Sequence, residues 1–102
     1  MSALINLRPE ADWDASSGLF DWVLEFLIPR LRDQEAAARL KEIVDNHLGD
    51  LWLSEFPAAT QREIVSHLRD GLIEAAEREL PESDVKEEAV DHLRELVRMT
   101  YN

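Results

Sequence analysis

Arg62–Asp70 (REIVSHLRD) and Glu87–Glu95 (EEAVDHLRE) are written in nearly the same letters, and a looser relative, KEIVDNHLGD, occupies Lys41–Asp50. Their apolar residues recur at three- and four-residue spacing, which is the period of an amphipathic helix. Most of the chain must therefore fold by packing helical apolar stripes against one another.

Capping signals divide the rest. Ser17 is a candidate N-cap for a helix over 17–32, and Pro29 must kink or break it because proline lacks the backbone donor a helix interior needs. Asp33 caps a second helix over 34–48, closed by Gly49 at a position that tolerates positive φ. The phase supports a break: Leu31 and Leu40 would lie about 180° apart on one straight rod. Thr60 with Glu63 forms a capping box for a helix over 61–79, and Asp84 with Glu87 forms another for a helix over 85–100. Gly71, inside the third, costs about 1 kcal/mol relative to alanine. Pro81 separates the last two.

The opening ALINLRPEADWD has no helical period and contains Pro9, so residues 1–15 read as an extended arm docked through Leu4, Ile5 and Leu7. No stretch offers a convincing period of two. The expected fold is all-α, a single-domain antiparallel bundle of about four helices spanning 1–102. Val44, Leu48, Ile64, Leu68, Leu72, Val90, Leu93 and Val97 should point inward.

Each better echo carries a Glu and a His one turn apart, Glu63 with His67 and Glu88 with His92, a spacing that can place two ligands on one metal. Di-iron bundle sites instead use a three-residue spacing with further inward glutamates. If Leu68 faces the core, His67 lies about 100° and Glu63 about 140° from it, on the flank. Helix support is then the expected role, and no metal or other cofactor is expected. Arg62, four residues and then His67 resembles the short motif of the HEPN ribonuclease superfamily. That resemblance, covering six residues, would make Arg62 and His67 a catalytic pair acting on RNA across a dimer. The second echo has Glu87 where an arginine would be needed. Glycines are isolated, no cysteine is present, and no supported nucleophile stands out, so a non-enzymatic protein is expected.

Charge narrows the partners. Acidic residues number 22 against 11 basic, a formal net charge of −11, which repels nucleic acid and anionic membrane and attracts basic proteins. The acids concentrate at Glu74, Glu77, Glu79, Glu82, Asp84, Glu87 and Glu88. The first helix is unusual in another way. Three of its charged residues, Asp21, Glu25 and Arg32, fall within about 40°, beside an apolar arc of roughly 200°. Such an arc is either buried on two sides or forms an interface through aromatic anchors.

The expected function is that of a small acidic protein-binding module, like an inhibitor, immunity protein or antitoxin, acting on a basic protein. Its partner-binding residues would be Leu19, Trp22, Phe26, Trp52, Phe56, Glu74, Glu77, Glu82 and Asp84. The alternatives are a homodimer formed through the first helix, and a DNA mimic that occupies a nucleic-acid-binding protein. The opening residues lack a basic stretch followed by an apolar run, and GLFDWVLEFLIP is too short to span a bilayer, so a soluble cytoplasmic protein without a membrane segment is expected.

Overall fold

A computed structural model describes residues 2–101. It overturns the all-α expectation: a three-stranded mixed sheet accompanies the helices. The chain runs β1 (Ser2–Arg8), β2 (Ala11–Ser16), α1 (Ser17–Leu27), α2 (Gln34–Asp45), β3 (Asp50–Trp52), α3 (Ala58–Glu79) and α4 (Lys86–Met99). The supposed extended arm is a β-hairpin. β1 and β2 pair antiparallel across a tight turn at Pro9 and Glu10, with Ile5 opposite Trp13 and Leu4 opposite Asp14. β3 returns beside β1 in parallel, so the order is β2-β1-β3. A parallel return needs a long crossover, and α1 with α2 supplies it.

The sequence carries this sheet in disguise. Ala11, Trp13 and Ala15 are buried while Asp12, Asp14 and Ser16 are exposed, a strict period of two whose apolar members are mostly alanine. In β1 Leu4 interrupts the alternation with an apolar residue on the outer face, and β3 has three residues. None of these stretches stands out on strand propensity alone. Trp13, unassigned from sequence, is 1% exposed. Burying an indole removes roughly 150–250 Å² from water, on the order of 5 kcal/mol, so the hairpin is tied to the core strongly.

The helices sit against the sheet face formed by Ala3, Ile5, Leu7, Ala11, Trp13, Ala15 and Leu51. α1 is central, in contact with β1, β2, α2 and α3. That position explains its wide apolar arc: Phe20, Val23, Leu24, Phe26 and Leu27 are all buried. Its N-cap is Ser16, whose hydroxyl accepts from Leu19 N–H. Pro29 breaks the helix, which ends at Leu27 and passes into a single 3₁₀ turn, Ile28–Arg30.

Asp33 caps α2 as its sequence position requires. The helix stops at Asp45, and the chain then turns through His47 (φ 52°) and Gly49 (φ 74°) into β3. α3 begins directly after Pro57, so Thr60 lies within its first turn and caps nothing of its own. α4 begins after Val85 with no side-chain cap, and Asp84 lies outside it. Ile64, Leu68, Leu72, Val90 and Leu93 are buried, Val44 and Val97 are half-buried, and Leu48 is 47% exposed because its turn has left the helix.

Candidate functional site

The aromatic residues of the expected interface have different fates. Phe26 is 5% exposed, covered by the guanidinium of Arg30 4.0 Å above its ring and packed beside Gly71. Phe56 is also buried, at the end of a 3₁₀ turn over Leu53–Glu55. Leu19 and Trp22 are half-buried at the edge of the core, Trp22 stacking on Phe26 with centroids 6.1 Å apart. Trp52, on β3, is 38% exposed and donates its indole N–H to Asp50 at 3.1 Å.

Glu74, Glu77, Glu82 and Asp84 are all exposed, around the turn from α3 into α4. Three cations answer part of the charge there. Lys86 pairs with Glu82 at 2.8 Å and also donates to the Glu77 carbonyl. Arg78 reaches Glu74 and Glu79, and Arg94 reaches Glu77 and Asp91. Asp84, Glu87 and Glu88 have no ion-pair partner among the described residues. Glu77, Glu82, Ser83, Lys86, Glu87, Val90 and Arg94 line an open, shallow groove at this end of the molecule.

The Glu/His echoes resolve into two unrelated structural devices. Glu63 reaches across from α3 to the junction after α1, where its carboxylate accepts the Arg32 N–H at 3.0 Å. His67 Nε2 meets the same carboxylate at 3.3 Å. Beside them, Asp33 accepts from the Glu35 and Ala36 N–H groups and from the Thr60 hydroxyl at 2.9 Å. The Thr60 hydrogen bond, helped by the backbone donors, holds the Asp33 carboxyl below its usual value. Two acids thus bind α3 to the α1–α2 junction. Arg62 is exposed on α3 and lines an open groove with Arg32, Ser66 and His67.

His92 has a different task. Its ring stacks on Trp13 at 4.8 Å between centroids, and Trp13 Nε1 donates to the His92 carbonyl at 3.0 Å. Its Nε2–H donates to the Asp14 carbonyl on β2, the outer strand. The pair therefore joins α4 to the sheet and occupies an acceptor on a strand edge that would otherwise be open. Glu88 is exposed and takes no part.

The outer face of the sheet is the feature sequence reasoning missed. β-pairing places Asp14, Leu4 and Asp50 in one cross-strand row and Asp12, Asn6 and Trp52 in the next. Asn6 is buried between the strands and donates to Asp12. Asp12, Asp14 and Asp50 are exposed and form no ion pair among the described residues. The Asp-Trp-Asp alternation was the available signal, since it sends both carboxylates to the face opposite Trp13.

No protein-family model, curated protein or solved structure matches this chain. Among the described residues, no three His, Asp or Glu side chains converge as a metal site requires. No helix among them is long and apolar enough to cross a membrane.

Proposed function

We propose that this chain is a small, acidic, non-enzymatic protein-binding module of the inhibitor, immunity or antitoxin type, which works in the cytoplasm on a basic protein. One observation carries the reading: most of the acidic residues lie at the surface, and Asp84, Glu87 and Glu88 form no ion pair among the described residues although Arg78, Lys86 and Arg94 pair with acids beside them. A net charge of −11 on 102 residues steers a basic partner towards the surface and raises its encounter rate. Glu74, Glu77, Glu82 and Asp84 supply the field at the α3–α4 end, and the exposed Trp52 supplies an anchor. The histidines of the echoes already serve the fold, which favours binding over chemistry.

Affinity capture of the tagged chain from native lysate, eluted by a salt gradient, tests this. A basic protein retained in stoichiometric amount and released by salt is the expected result. Recovery of the bait alone would contradict it. Self-association is the second reading, favoured by the half-buried Leu19 and Trp22 at the edge of α1. Light scattering tests it: a dimer dissociated by Trp22→Ala supports it, and a monomer removes it.

A further inference from the structure

We propose that Arg32 and Arg62 form an anion site for a single phosphoryl group, carried by a phosphomonoester or by free phosphate. The site lies at the start of α3, the opposite end of that helix from the acidic α3–α4 turn. Few cations are spare in a chain with 22 acidic and 11 basic residues. Arg39, Lys41, Arg78, Lys86 and Arg94 pair with carboxylates. Arg8, Arg30 and Arg69 donate to the backbone carbonyls of Met99, Phe26 and Thr100. Among the described residues, the guanidiniums of Arg32, Arg62 and Arg98 have no such partner. Arg32 and Arg62 line one groove.

The fold brings these two together. Arg32 lies between α1 and α2 and Arg62 near the start of α3, and the Glu63 carboxylate accepts the Arg32 N–H at 3.0 Å. That bond fixes the backbone of one arginine beside the chain neighbour of the other. Like charges placed so repel each other, and an anion between them relieves the repulsion. The acids of the groove are already engaged by the fold's own donors. Glu63 takes the Arg32 N–H and meets His67 Nε2 at 3.3 Å, while Asp33 accepts from Glu35 N–H, Ala36 N–H and the Thr60 hydroxyl. Neither acid pairs with either guanidinium among the described residues.

Charge selects the ligand. A guanidinium offers a planar fork of donors that matches a phosphoryl or carboxylate group bidentately. Two such forks match the double charge of a phosphomonoester better than the single charge of a carboxylate. The net charge of −11 repels a nucleic-acid strand or an anionic lipid surface, so the ligand must be compact.

The probes are inorganic phosphate, a short neutral peptide carrying one phosphoserine, and acetate, titrated near neutral pH at constant ionic strength with backbone amide NMR shifts as the readout. Saturable shifts at Arg32, Arg62 and their neighbours are expected with a phosphate probe, and acetate should bind about tenfold more weakly. R32Q and R62Q should each weaken phosphate binding about tenfold. Neither removes a bond of the fold, since the Arg32 N–H remains. R98Q, an equal change in charge outside the groove, should stay within about twofold. Circular dichroism melts verify that each variant is folded. Tighter binding of the phosphopeptide would support a modified side chain as the source of the phosphoryl group, and tighter binding of inorganic phosphate a small free ligand. Equal weakening by R98Q would overturn the inference, because binding would then follow net charge alone. Acetate binding as tightly as phosphate, shifts that map away from the groove, or shifts that never saturate would overturn it as well and leave the basic-partner reading standing.

Discussion

Asp33 and Glu63 show how two side chains can hold a three-helix junction. Asp33 was legible as a cap because capping is local, the backbone donors it accepts from lying two and three residues ahead. Glu63 was not, because the donor it serves is Arg32 N–H, 31 residues away in the chain, and no helical-wheel argument reaches that far. Glu63→Ala should cost about 0.5–1.5 kcal/mol in urea unfolding, the net worth of the hydrogen bond it removes from the exposed Arg32 N–H. His67→Ala should cost only a few tenths of a kcal/mol, the usual worth of a one-turn pair. The Asp33 carboxyl lies below 3.8 when folded, so the unfolded chain binds its proton first as pH falls. Its stabilisation is present above that value and is lost as pH drops through the folded-state value. Thr60→Val should move the Asp33 titration, followed by NMR, back towards 3.8.

Among the elements, α2, α3 and α4 were readable from their apolar period, while the sheet was hidden by alanines, by Leu4 on the outer face and by the brevity of β3. The boundary errors share a cause: Thr60 and Asp84 look like caps, yet Pro57 had already started α3 and the chain enters α4 without a cap. Trp13 is the test of whether the hairpin is part of the core. Trp13→Ala should cost about 3–5 kcal/mol in thermal or urea unfolding, a large share of the 5–15 kcal/mol that typically holds a domain together. Gly71 gives the opposite sign. A Cβ built there meets only the Phe26 ring, at 3.6 Å and 3.9 Å, which is ordinary van der Waals contact. Gly71→Ala should therefore stabilise α3 by about 0.5–1 kcal/mol, read as a higher urea midpoint.

For the whole molecule, charge was the most legible property, because it needs only a count. The aromatic part of the expected interface was less so: burial of Phe26 depends on α1 lying between the sheet and two helices, and burial of Phe56 on the turn after β3 folding back beside α2, which composition does not encode. The outer sheet face, with Asp12, Asp14 and Asp50 exposed on it, depended on strand pairing in the same way. Steering of a basic partner by the acidic surface makes the encounter depend on salt. The measurement is the stopped-flow association rate with the purified captured partner across a salt series. Steering requires a rate that falls steeply as salt shortens the reach of the charges, with dissociation changing much less. An association rate indifferent to salt would contradict it.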